Sequence, residues 1–149
     1  MSAFSTIYDA VDSLVSTALP SYTKAPKSII LEENPNLLMN SGYIISWGDG
    51  QNTNRFASCK LSISRIFTIS LMNKVVSLET NATQLATQEK NMFNDQLTLV
   101  RAIENDVTLG GTAVRSVYSS DGGIEFLAGD RINYYLLQTD LEIEYIENL

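Results

Sequence analysis

The sequence predicts an α+β domain in which two helices pack on a mainly antiparallel, twisted sheet with projecting loops and a hairpin. Three observations point there. Two segments repeat apolar residues at helical spacing, a long segment between them alternates apolar with polar, and the C-terminal part breaks into β-rich runs bounded by Gly- and Asp-containing turns. The 149 residues read as a single domain, 1–149, and a chain of this size buries about 68–70% of its unfolded surface. With 44% hydrophobic and 18% charged residues the composition is that of a folded globular domain and too apolar for a disordered one.

The first helix is the clearest element. Phe4, Ile7, Tyr8, Val11, Leu14, Val15 and Ala18 recur at i, i+3, i+4 and i+7 and so line one face. Ser2 or Ser5 caps it, Asp9 and Asp12 lie nearer its start than its end, and Pro20 bars continuation, which places it at about 3–18. After a turn at Pro26, Lys27 to Glu32 reads as a short strand and Glu33-Asn34-Pro35-Asn36 as a break. A second strand runs from Tyr43 to Trp47. Gly48 to Asn54 then reads as a seven-residue polar loop, rich in residues that accept positive φ, projecting into solvent or onto a partner.

From Cys59 the chain alternates, with Leu61, Ile63, Phe67, Ile69 and Leu71 on one face and Lys60, Ser62, Ser64, Thr68 and Ser70 on the other. Arg65 interrupts the apolar face and Ile66 the polar one. That irregularity is either local or the mark of a bulge, an end of burial or a contact with another subunit. Asn81 and Gln84 stand in capping positions before an apolar stripe of Leu85, Met92, Phe93, Leu97, Val100 and Ile103, giving a second helix near 81–105 that lies on a sheet with its other side exposed. Asn105-Asp106 and Gly110-Gly111 end it.

The C-terminal part reads as a hairpin and a closing strand. Thr112 to Tyr118 and Ile124 to Leu127 flank a turn at Ser120-Asp121-Gly122-Gly123, and Ala128-Gly129-Asp130 leads into a run from Ile132 to Ile146. There Tyr135, Leu137, Leu141, Ile143 and Tyr145 share one face, while Gln138, Asp140, Glu142 and Glu144 share the other. Glu142, Glu144 and Glu147 form an acidic group that is either a solvated sheet face, the lining of a channel or the seat of a basic partner.

Charge and residue types exclude much. Ten basic against seventeen acidic residues leave a net charge of −7, so the footprint of a protein that grips phosphates is missing, although a repulsive wall past which a duplex slides is compatible with it. Cys59 is alone, which rules out an intrachain disulfide and reads as a small, half-buried core residue. No secretory pattern is visible at the N-terminus and no stretch reaches the roughly 18 consecutive apolar residues of a spanning helix, so a protein made in the cytoplasm and kept there unless it is assembled into something larger is expected, without membrane contact.

The chain has no histidine, which removes the commonest general base, the Ser-His and Cys-His nucleophile pairs and the commonest zinc ligand. No grouping of Ser with Lys or of paired carboxylates stands above the background, so no catalytic, metal or cofactor residue is expected. The Asp49 loop departs from an EF-hand, because Lys60 stands where the acidic twelfth ligand would. Asn81-Ala82-Thr83 matches a glycosylation acceptor but reads as a helix start. Gly110-Gly111 and Gly122-Gly123 lack the glycine spacing of a phosphate-binding turn.

Several segments, in order, resemble the neck or tail terminator (tail completion) proteins of tailed bacteriophages. They are Phe4-Ser5-Thr6-Ile7-Tyr8-Asp9-Ala10-Val11, Glu33-Asn34-Pro35-Asn36, Glu79-Thr80-Asn81-Ala82-Thr83 leading into Gln88-Glu89-Lys90, Ser120-Asp121-Gly122-Gly123-Ile124-Glu125-Phe126-Leu127, and Leu141-Glu142-Ile143-Glu144-Tyr145. The resemblance implies a non-enzymatic α+β subunit of the virion, forming a hexameric ring that caps the tail tube and offers the head-side connector its joining surface. The implied partners are further copies of the chain, the tube protein, the connector and, as an optional addition, a tail sheath, with DNA passing through unbound. Asp49, Asn52 and Arg55 in the polar loop are the expected contact residues, and Arg65 an expected buried or inter-subunit ion-pair partner. A portal-side head-completion adaptor is the alternative within the same assembly. A small ligand-binding or hydrolytic domain with an unrecognised carboxylate site is the alternative from another class.

Overall fold

The computed structural model describes residues 2–25, 40–56, 59–75, 82–128 and 133–149, and these form two helices on one five-stranded sheet, the expected α+β fold. Helix α1 is Ala3–Ala18, strands β1, β2 and β3 are Thr23–Lys24, Ser41–Phe56 and Lys60–Lys74, helix α2 is Ala82–Asn105, and strands β4 and β5 are Arg115–Ala128 and Asn133–Asn148. The sheet order is β1-β2-β3-β5-β4; β1 pairs parallel with β2 and every other pairing is antiparallel.

The two central strands, β3 and β5, are paired along their whole length, from Lys60 opposite Asn148 to Lys74 opposite Tyr134. Central placement buries the alternating apolar face: Phe67, Ile69, Leu71, Leu137, Leu141 and Ile143 have no exposed surface. Against this face α1 lays Ile7, Val11 and Val15, and α2 lays Leu99 and Ile103. Each such side chain removed from water contributes about 1.5–3 kcal/mol before entropy is counted. The Ser2 hydroxyl oxygen caps α1 by accepting the Ser5 amide at 3.2 Å.

Polar pairs fix where the helices sit. The Tyr43 hydroxyl donates to Asp12 of α1 at 2.7 Å, and Lys24 pairs with the same carboxylate at 3.1 Å. The Tyr22 hydroxyl donates to Asp95 of α2 at 2.7 Å and accepts from the Asn73 amide at 2.7 Å. Gln96 and Thr139, both buried, satisfy each other at 2.9 Å between α2 and the sheet. On the opposite sheet face a smaller cluster forms from Ala25, Ile44, Met72, Tyr134 and Leu136. The C-terminal run therefore buries both faces at its start, which alternation alone does not announce.

Several expectations need correction. Gly48 to Asn54 is not a loop but the far half of β2, paired with β3 through Gly50 opposite Arg65 and Asn52 opposite Ile63. Two one-residue bulges, between Trp47 and Gly50 and between Asn52 and Asn54, absorb the turn-forming residues while the long β3 supplies partners for the backbone. Ser120 to Gly123 is likewise no turn. It lies inside β4, which stays paired with β5 across two bulges, and Gly123 takes φ 70° there while its amide donates to Asp121 at 2.9 Å. Strand β4 starts at Arg115 and not at Thr112, because residues 107–112 form turns.

On α2 the buried stripe is Met92, Gln96, Leu99 and Ile103, whereas Phe93 and Leu97 are each 44% exposed. A helix shows the sheet one face only, and Phe93 and Leu97 lie about a quarter turn away from it. Cys59 is exposed at the β2–β3 reversal with φ 58°, not half-buried in the core. The strand expected at Lys27 to Glu32, the break at Glu33 to Asn36 and the Asn81 cap lie outside the described residues. Among the described residues no helix is long and apolar enough to cross a membrane.

Candidate interaction surface on the bulged sheet

Burial declines along the sheet beyond Phe67. Ile63 and Leu61 of β3 are only half-buried, and β2 is exposed from Trp47 to Arg55. Here β2, β3 and the end of β5 form a three-stranded arm, with the first turn of α1 at its base. Phe4 stacks on Phe67 at 5.7 Å between ring centroids and meets Trp47 edge-on at 5.2 Å, while Tyr8 meets Trp47 edge-on at 5.7 Å. The base of the arm is thus an aromatic wedge, with Trp47 42% exposed at its rim.

Arg65 lies at the same junction. Its Nε donates to the Tyr145 hydroxyl at 3.2 Å, its Nη1 donates to the Gly48 carbonyl at 2.7 Å, and its guanidinium carbon stands 5.4 Å from the Phe4 ring centroid. The Gly48 carbonyl belongs to the bulge between Trp47 and Gly50, where regular ladder pairing is interrupted, so Arg65 supplies a donor where the sheet is irregular. Gly50 lies directly across from Arg65: an added Cβ would lie 2.7 Å from Nη2 and 3.0 Å from Cζ, so the end of the Arg65 side chain would have to shift. Arg65 is half-buried, and inside the chain it bonds to a hydroxyl and a carbonyl, not to a carboxylate.

Asp49, Asn52 and Arg55 are exposed; Asn52 and Arg55 lie opposite Ile63 and Leu61 of β3, whereas Asp49 falls in the bulge between Trp47 and Gly50. The acidic group divides. Glu142 and Glu144 point to the sheet face away from the helices, where Asp140 joins them; Glu147, an odd step along β5, points to the helical side and its Oε1 accepts the Ala3 amide at 3.1 Å. A carboxylate there faces the partial positive charge at the start of α1. On the outer face each carboxylate accepts from β3 hydroxyls: Thr68 to Asp140 at 2.6 Å, Ser64 to Glu142 at 3.1 Å and Ser62 to Glu144 at 2.6 Å. Ser62, Ser64 and Thr68 of the polar face of β3 are the donors of this ladder, a feature visible only once β3 and β5 are known to be neighbours.

Titration shifts fall elsewhere. Burial first, and Asp12 second, push the Tyr43 phenol well above its ordinary value; burial does the same for Tyr22, with Asp95 adding to it and the Asn73 bond opposing. The Tyr8 hydroxyl and then Asp12 raise the Lys24 ammonium. Tyr118 and the Gly123 amide hold Asp121 below the usual carboxylate range at the β4 bulge. These are structural pairs, each explained by the elements it joins. A groove of about 440 Å³ between α1 and the end of α2 is lined by Ala10, Leu14, Ala102 and Leu109, and its one carboxylate, Asp106, accepts the Gly110 amide at 3.0 Å. Among the described residues no group of three potential metal ligands is assembled. The surface is suited to contact through edges, aromatic rims and fixed polar side chains. Compared with known proteins, the chain matches no protein-family model, and no curated sequence is significantly similar to it.

Proposed function

We propose that the chain is a non-enzymatic structural subunit of a tailed-phage virion, forming a ring that caps the tail tube and offers the neck its joining surface. The ordered, chain-wide resemblance to terminator proteins carries this reading. The described surface supports it: the arm displays Trp47, Asn52 and Arg55 at paired positions of β2, with Asp49 in a bulge, and a paired backbone loses little freedom on docking. The acidic balance of −7 suits a conduit that does not retain DNA. In mechanism, a closed ring gives the tube end a surface that no further tube subunit extends, which ends tail growth. Deleting the gene from its phage should give tails of uncontrolled length or tails without heads, seen by electron microscopy; normal joined virions would refute the proposal. Co-assembly of the purified chain with portal in place of tube protein would favour the head-completion adaptor, and turnover in a substrate screen the hydrolytic alternative.

A further inference from the structure

We infer that the outer edge of β4 from Ile124 to Ala128, with the flank of α2 beside it, is a docking groove for an extended segment of a different protein, apolar at alternate positions and neutral or basic in charge. The inference stands apart from the ring reading. Strand β4 is an edge of the sheet and pairs with β5 alone. Its first half is closed: the Ser116 and Tyr118 amides point away from β5 and donate to the Val107 carbonyl at 2.6 Å and to Glu104 Oε1 at 3.2 Å. Both register shifts insert their extra residue into β4, so the alternation along β5 is unbroken, and β4 residues opposite its odd positions turn N–H and C=O outward. Ser116 and Tyr118, opposite Ile143 and Leu141, obey this rule. By the same rule Ile124, Phe126 and Ala128, opposite Leu137, Tyr135 and Asn133, turn outward as well. Among the described residues no strand pairs with them. Backbone groups presented at every second residue of an edge are matched by another extended backbone.

An apolar wall runs beside this edge. Met92 of α2 clusters with Tyr135 and Leu137, Ile124 packs against them, and Glu104 reaches the Tyr118 amide, so α2 runs antiparallel to β4. Phe93, Leu97 and Val100 lie on the same flank of α2 as Glu104, and that flank therefore faces the β4 edge. Phe93 and Leu97 are each 44% exposed, and Phe126 on the strand side is 48% exposed. The far part of β2 is also a free edge, but Gln51 to Asn54 are polar and exposed and a bulge interrupts them, so no apolar wall adjoins it. Charge decides the occupant. A second copy carries the same −7 and is repelled, while along the groove Asp121, Glu125 and Glu89, which accepts the Tyr135 hydroxyl, outnumber Lys90.

The test titrates the full chain with the peptide Lys-Lys-Val-Thr-Val-Thr-Val-Lys-Lys and follows backbone amides by NMR, with circular dichroism to confirm that each variant folds. Binding should shift the amides of Ile124, Phe126 and Ala128 together with those of Phe93 and Leu97. Ala128→Pro removes one outward donor where an edge strand tolerates proline, and should raise the dissociation constant about 3- to 10-fold. Phe126→Ala strips the strand side of the groove of its exposed ring and should raise it about 10-fold. No binding by wild type at about 1 mM peptide overturns the inference. So do shifts confined to the free edge of β2, or a folded Ala128→Pro that binds as tightly as wild type. Amides of Ile124 to Ala128 that move with protein concentration in the absence of peptide show a second copy in the groove and overturn the choice of occupant. If Ala128→Pro does not fold, Phe126→Ala carries the test, and unchanged affinity in that variant overturns the groove.

Discussion

Replacing Gly50 by alanine should destabilise the chain by about 1–2 kcal/mol, whereas the same change at Gly48, two residues away, should be neutral or stabilising by up to about 1 kcal/mol. Neither glycine has a positive φ, so alanine is tolerated by the backbone at both and lowers the entropy of the unfolded chain equally. The difference is in what the new methyl meets. At Gly48 the nearest atom, the Ile66 carbonyl oxygen, is 4.0 Å away; at Gly50 the methyl would lie 2.7 Å from Arg65 Nη2 and 3.0 Å from Ile63 Cγ2. The flexible end of Arg65 gives way first, and in moving it leaves the bonds at 3.2 Å and 2.7 Å to Tyr145 and Gly48. A hydrogen bond to a charged group is worth about 1.5–3 kcal/mol, but a half-exposed guanidinium recovers most of that from water, which keeps the net cost to the lower part of that range. Urea unfolding of the two variants at unchanged slope reads the difference directly. A Gly50→Ala chain as stable as Gly48→Ala would show that Arg65 is not held over Gly50 and would refute this reasoning.

Two further outcomes follow from contacts already described. Glu147→Gln removes the charge that faces the start of α1 and weakens its bond to the Ala3 amide, so it should cost about 0.3–1 kcal/mol in thermal or urea unfolding, with the loss shrinking in high salt; no change at low salt would contradict it. Tyr22 and Tyr43 have folded values raised above the ordinary 10.0, so their contribution to stability is complete below that pH and is lost as pH rises through the folded values. Alkaline unfolding should therefore release their phenolates, and absorbance reaching the full value for seven tyrosines while circular dichroism is still native would refute this.

The legible parts of the fold were those with strong, local periodicity. Ile7, Val11 and Val15 at helical spacing placed α1 at 3–18, its observed span, and alternation from Leu61 to Leu71 identified β3 and its core face. Gly48-Asp49-Gly50 and Asp121-Gly122-Gly123 misled for one reason: Gly, Asn and Asp signal a backbone that bends, and a bulge bends the chain as a turn does without reversing it. Only a long partner strand distinguishes the two. Phe93 and Leu97 misled because apolar residues at helical spacing do not say how wide a face the sheet covers.

At the candidate surface, Arg65 stood out in the sequence because it broke an apolar alternation. Its partners did not, since Gly48 and Tyr145 are 17 and 80 residues away. The sequence by itself determined the α+β class, the first helix, the central strand, the acid surplus and the lack of histidine, because composition and period are local properties. The tertiary structure decided the rest. Strand order β1-β2-β3-β5-β4 brought Ser62, Ser64 and Thr68 beside Glu144, Glu142 and Asp140, and the odd step along β5 sent Glu147 to the start of α1. Pairing between strands far apart in the chain sets which side chains meet, and period alone carries no record of that register.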